Sequence, residues 1–300
     1  MTEREAAITT PTETETSPPG VTRSSPLKLL LSSPSATAGA IIVGIAVIVA
    51  VVSIWWTPYG PLTVNTGAEF LRPSLAHPLG TDEYGRDVLS RLMTGTQITL
   101  LSSLGAVAIA LVVGVPAGLI AAFRRGTTGE IIMRGADLLY SFPALLAAIT
   151  LVAALGASTL TATLAIGIAS IPVFARVTRS TALGVLSTDY VLAARAYGRS
   201  SLQIARRHVL PNIMPILVAQ IALLLSVTIL AVAALSYLGL GTPPPAPTWG
   251  GMLESAQNYL YQDPLLVLWP GLAIAVTVFG LNALGDGLRD ILDPTLKGRS

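Results

Sequence analysis

The sequence predicts an all-α, polytopic membrane protein with six transmembrane helices and both termini on the cytoplasmic side. Three observations carry this expectation. Of 300 residues, 52% are hydrophobic and only 11% charged, with a mean hydropathy of +0.69, which is outside soluble composition. Six apolar runs recur at 39–56, 98–123, 135–157, 160–174, 216–240 and 265–284. Most are long enough alone to cross a hydrocarbon core of about 30 Å, and the fourth is short. With the amino terminus inside, 15 of the 18 lysines and arginines fall on the inner side. The remaining three, Arg72, Arg86 and Arg91, lie in the loop before the second span, where Glu69, Asp82, Glu83 and Asp87 outweigh them.

Residues 1–36 are rich in Thr, Ser, Pro and Glu and read as a disordered cytoplasmic tail. Within it LKLLL at 27–31 is expected to lie as a short helix on the membrane surface, and the long acidic leader does not fit a cleaved signal peptide. The first span and the start of the outer loop occupy 37–70, the main transmembrane domain 71–294, and a short cytoplasmic tail 295–300. The four tryptophans, Trp55, Trp56, Trp249 and Trp269, fall near outer span ends and are expected to form one interfacial belt. In the second span Gly114 and Gly118 form a GxxxG pattern for close helix approach, with Pro116 between them; Pro143, Pro172 and Pro270 are candidate bends.

The outer loop AHPLGTDEYGRDVLSRLMTG at 76–95 places Asp82, Glu83, Arg86 and Asp87 at spacings that allow pairing, with turns at Gly80 and Gly85. It is a candidate outer gate or docking site for a soluble partner through Asp82, Arg86, Asp87 and, from a second loop, Trp249. That second loop, GTPPPAPTW at 241–249, is expected to be stiff and extended.

Residues 189–212, DYVLAARAYGRSSLQIARRHVLPN, are basic and polar among apolar runs. Helix formers precede Gly198, Ser200 and Gln203 form a capping-box signature for a second helix, and Pro211 is expected to close the unit. Arg195, Arg199, Leu202 and Arg206 share a face beside the small residues Ala193, Ala194 and Gly198, a ridge suited to an acidic protein partner.

Composition excludes several classes. There is no cysteine, and His77 and His208 are the only histidines, so disulfides, thiolate metal sites, structural zinc and haem are not expected. No GxxxxGK(S/T) string occurs, and the lysines, Lys28 and Lys297, sit in the tails, so the chain alone is not a P-loop ATPase. The expected spans hold one ionisable residue, Asp137, which disfavours an ion-coupled carrier acting alone. No catalytic constellation of an intramembrane enzyme and no nucleic-acid motif is visible. What remains is a transport pathway powered from outside the chain, with Tyr140, Ser141, Ser170, Gln220, Ser226 and Thr228 as candidate lining.

Four strings carry a resemblance to a known family: HPLGTDEYGRDVLSRL at 77–92, LAARAYG through RHVLPN at 192–212, SYLGLGTPPPAPTWGGML at 236–253 and LGDGLRDILDP at 284–294. With SFPALLAAI at 141–149, they resemble the C-type inner-membrane permease subunit of bacterial dipeptide and oligopeptide ABC importers over 71–294. The resemblance implies a type I importer permease fold and a non-catalytic subunit of the bacterial cytoplasmic membrane that binds no cofactor itself. It further implies a homologous B-type permease partner, two ATP-binding subunits that use ATP and Mg, and an external substrate-binding protein. The substrates it covers are di- and oligopeptides, nickel complexes and other small solutes. Residues 189–212 correspond to the family's EAA loop, which docks on the ATP-binding subunit, so Leu192, Ala193, Ala194, Arg195, Gly198, Arg199, Leu210 and Pro211 are the expected coupling residues. Leu192 stands where the family pattern has glutamate, and Gln97 where a basic residue is expected. The polar grip then falls more to Arg195 or Arg199.

Overall fold

The computed structural model describes residues 33–124 and 126–292, and within them the regular elements are helices, joined by one isolated antiparallel bridge between Thr81 and Asp87. Expectations for the surface helix at 27–31 and the tail at 295–300 fall outside the described residues. In order the helices are α1 Pro34–Trp55, α2 Val88–Phe123, α3 Thr127–Ser141, α4 Ala144–Leu155, α5 Thr159–Leu186, α6 Asp189–Ala196, α7 Ser201–Ile204, α8 Leu210–Tyr237, α9 Trp249–Ala256 and α10 Leu265–Leu292. Among the described residues five continuous helices are long and apolar enough to cross a membrane, and the bent pair α3–α4 makes a sixth if it crosses as one broken span.

Helix α1 starts inside the stretch expected to be tail. Ser33 accepts a hydrogen bond from the Ala36 N–H, and Pro34 occupies the first turn, where a missing N–H costs nothing. Helix α2 starts ten residues before the expected span, capped by the Asp87 carboxylate on the Ser90 N–H at 2.8 Å. Its GxxxG face meets α5 as expected: a Cβ added at Gly114 would lie 2.7 Å from the Ile171 carbonyl oxygen, and one at Gly118 would lie 2.5 Å from that of Ala175. Only glycine permits this approach.

Three expectations about spans are corrected. The third run is not one helix but α3 and α4, meeting at 84°. Pro143 has no N–H to continue the ladder, and Phe142 before it is extended, as a residue preceding proline prefers. The fourth span does not stop at residue 174 but continues through Pro172 and Arg176 to Leu186. Pro211 does not close the inner unit. It sits in the first turn of α8, and α7, a π-helical turn Ala205–Val209 and α8 run on as one 37-residue rod, Ser201–Tyr237.

One cluster fixes the segment that follows α5. Leu186, Val191, Ile204, Val209, Ile213 and Leu217 are buried together with Phe174 and Ala182. On the far side Trp249, Ile229, Ala233 and Ile274 form another core.

Candidate functional sites

The inner segment is a helix, a glycine turn and a second helix start, all locally encoded. At the end of α6 the Arg199 N–H reaches the Ala194 carbonyl at 3.1 Å and the Gly198 N–H that of Arg195 at 2.9 Å, the two bonds of a Schellman motif. Gly198 has φ +77°, a conformation that penalises any side chain. The expected capping box is present: Gln203 N–H to Ser200 Oγ at 3.3 Å, Ser200 N–H to Gln203 Oε1 at 3.1 Å. Asn212 donates to the His208 carbonyl at 2.6 Å and to Tyr190 Oη at 3.3 Å, tying the start of α8 back to α6.

Rooted by Val191, Ile204 and Val209, the segment turns its other side chains outward. Tyr197 is 88% and Leu202 68% exposed, with Tyr190, Leu192, Ala193, Arg195, Arg199, Arg206 and Pro211 also exposed and Ala194 and Leu210 half-buried. Apolar groups and arginines thus share one unpartnered surface, as protein-docking faces do.

The outer loop is built the opposite way. Asp82 accepts from Arg86 Nε at 2.6 Å and lies 3.2 Å from Arg91 Nε, while its other oxygen takes the Tyr84 and Arg86 backbone N–H groups, each at 2.9 Å. Arg86 also reaches Glu83 at 3.2 Å. Asp87 caps α2 and meets His77 Nδ1 at 2.9 Å. The pairing expected at helical spacing is therefore real, but it is made in a turn bracketed by the Thr81–Asp87 bridge. Burial pushes the Glu83 carboxyl above its ordinary range, and the Asp82 charge adds to this against the opposing pull of its own backbone hydrogen bond and of Arg86 and Arg91.

Asp82, Arg86 and Asp87 are all buried, so they frame the loop while Tyr84 and Leu75 face outward. Beside the network lies a cleft of about 490 Å³, lined by Glu83, Arg86, Arg91, Pro245, Glu254 and Tyr259. Of the four tryptophans expected in a belt, Trp55 and Trp56 are exposed and Trp269 is half-buried, but Trp249 is 1% exposed and cannot present a surface to a partner. It packs against Gly95, where an added Cβ would stand 3.3 Å from its ring, so its neighbours outcompete the interface.

The expected pathway residues are not gathered at one place. Ser170 is buried and donates to the Ile166 carbonyl at 2.8 Å; Thr228 is buried and donates to that of Leu225 at 2.9 Å. Ser226 donates to Asn282 Oδ1 at 2.8 Å across to α10, and Gln220 is half-buried. Tyr140 and Ser141, in contrast, lie together on an exposed face with Asp137. There Arg176 Nη2 donates to Asp137 Oδ1 at 2.7 Å, and its guanidinium stands 4.1 Å over the Tyr140 ring. Sequence reading missed Arg176 and Asn282; a charge placed seventeen residues into a span, with one aspartate on a neighbouring span, was the available signal. Among the described residues no group of three or more histidine, aspartate or glutamate side chains is arranged to hold a metal ion.

Residues 114–298 match the family model described as binding-protein-dependent transport system inner membrane component. The chain is 40% identical over 297 residues to the di/tripeptide transport system permease protein DppC of Pseudomonas aeruginosa, covering 94% of this chain and 96% of that one. It is 38% identical to the probable D,D-dipeptide transport system permease protein DdpC of Escherichia coli, over 90% and 91% of the two chains. The glutathione transport system permease protein GsiD of Pectobacterium atrosepticum is 38% identical, over 86% and 87%. A chain of the MetNI methionine ABC transporter in an inward-facing conformation shares the fold, with TM-score 0.57 and 20% identity over 67% of this chain and 96% of that one.

Proposed function

Because the chain belongs to the family of binding-protein-dependent transport system inner membrane components, we propose that it is the membrane-spanning permease subunit of an ATP-driven peptide importer. With a homologous B-type permease it forms the pathway for di- or oligopeptides. Two ATP-binding subunits hydrolyse MgATP on the cytoplasmic side, where both termini of this chain lie, and an external binding protein delivers substrate. The relatives named for di- and tripeptides, D,D-dipeptides and glutathione favour peptides over nickel complexes.

One observation supports the coupling role above others: residues 189–212 are rooted in the core on one side and unpartnered, apolar and cationic on the other. ATP binding closes the ATP-binding pair, and the docked segment moves with it, biasing the spans between inward-open and outward-open states. The pathway residues Tyr140, Ser141, Ser170, Gln220, Ser226 and Thr228 remain candidates in this reading, as do Asp82, Arg86 and Asp87 as the frame of an outer gate.

The test is co-expression with partner subunits, followed by reconstitution. Copurification with two ATP-binding chains and peptide-stimulated ATP hydrolysis are expected. Uptake by this chain alone under an ion gradient would establish a secondary carrier instead, and turnover without ATP-binding subunits an enzyme.

A further inference from the structure

We propose that Asp137 and Arg176 form a charge station for the two ends of a peptide zwitterion, beside the elbow between α3 and α4. The proposal rests on the peptide-permease reading above and names residues that bind the substrate in transit.

Position is the first argument. Gly118 packs against Ala175 and Arg179, only five residues before α2 ends at Phe123. At about 1.5 Å per residue, Arg176 therefore lies about 8 Å inside that end of the bundle. The Arg176 side chain is 37% and that of Asp137 60% exposed. Charged groups held against hydrocarbon near the middle of a bilayer cost several kcal/mol, so wherever this face lies within the membrane it meets water or protein.

The elbow is open in this chain. Residues 141–146 are all exposed, and α4 begins with no side-chain cap on its free N–H groups. Broken backbone is tolerated at membrane depth where it lines an aqueous cavity or is buried in protein.

Unused bonding capacity points to a ligand. Among the described residues, Asp137 Oδ2 makes no hydrogen bond, and Arg176 uses one of its five N–H donors, toward Asp137. Tyr140 supports the guanidinium face and leaves its edge, the part that recognises carboxylates, open. One turn further along α5, Arg179 Nε is buried without a partner, so positive potential exceeds negative here. Asp137 takes the ammonium end of a peptide and Arg176 the carboxylate end. Their mutual bond re-forms when the peptide leaves, which keeps the site weak enough for transit.

The test uses the whole importer, purified with its partner subunits and placed in nucleotide-free nanodiscs. Saturation-transfer NMR reads binding of dialanine, its N-acetyl form and its carboxamide. Arg176→Gln should weaken dialanine about tenfold and leave the carboxamide unchanged, and Asp137→Asn should weaken dialanine but not the N-acetyl form. Arg176→Lys, which keeps the charge, should retain most dialanine binding. Equal binding by parent and variants, equal losses for free and blocked peptides, or loss of the partner permease on purification would each overturn the station. Dialanine import by the parent complex is measured in parallel: failure to import any peptide removes the peptide reading itself, whereas import with binding independent of the pair removes the station alone.

Discussion

The outer loop and the inner segment spend their charges in opposite ways. In the loop, Asp82 neutralises two arginines inside a turn, and almost nothing charged is offered to the outside. In the segment, Arg195, Arg199 and Arg206 are exposed beside Tyr197 and Leu202, and the buried contacts are apolar. The loop's electrostatics hold a shape, whereas the segment's shape is held by packing and caps, which leaves its charges free to meet a partner. Buried pairs lose heavily when one member is removed, while exposed charges cost little to change in the free protein.

The contrast can be broken most sharply at Gly198. Proline there removes the N–H of the Schellman motif and cannot adopt φ +77°. Gly198→Pro is expected to abolish peptide-stimulated ATP hydrolysis in the reconstituted complex while both membrane subunits still copurify. Undiminished stimulation would mean that the turn transmits nothing.

Next in size is Asp82→Ala, which leaves Arg86 and Arg91 buried without their shared carboxylate. A destabilisation of about 3–5 kcal/mol is expected, read by thermal unfolding in detergent. A shift as small as that of a surface substitution would show that the loop is not held by this network.

Arg195→Glu or Arg199→Glu should do the reverse, leaving unfolding within about 0.5 kcal/mol of the parent and weakening copurification of the ATP-binding chains. The variant with the larger loss identifies which arginine takes the grip that Leu192 cannot supply.

The smallest effect is expected at Glu83. Its carboxyl is raised above the ordinary value of 4.5, so the folded chain holds its proton more tightly than the unfolded chain. That contribution is favourable below 4.5 and is lost as pH rises from there through the raised value. Glu83→Gln should flatten this part of the stability profile, and an unchanged profile in thermal unfolding across that range would place the titration elsewhere.

The features legible in the sequence are those decided within a few residues. The Ser200–Gln203 box, the Gly198 turn and the Asp82–Arg86 pair depend on neighbours three or four positions away, and each forms. The GxxxG contact was also readable, because small residues at that spacing have one obvious use. Arg176 was read as lying past the end of the fourth run because a charge at the edge of an apolar run looks like its end, whereas α5 continues through it. Its partner Asp137 is 39 residues away and joins it only after α3 folds against α5. Trp249 followed packing over its usual interfacial preference, and Pro211 was taken for a stop although the first turn of a helix needs no N–H from it.

The uninterrupted run from Ser201 to Tyr237 has a mechanical consequence. At about 1.5 Å per residue its 37 residues form a beam roughly 55 Å long, with one end in the exposed segment and the other at the turn leading toward the cleft beside Glu83. Leu217, Leu224 and Ile229 hold the beam near its middle, so a rigid beam pushed at Leu202 would move at Tyr237 in the opposite sense. Opening at one face and closing at the other would then be a single motion, carried through the π-helical turn at Ala205–Val209.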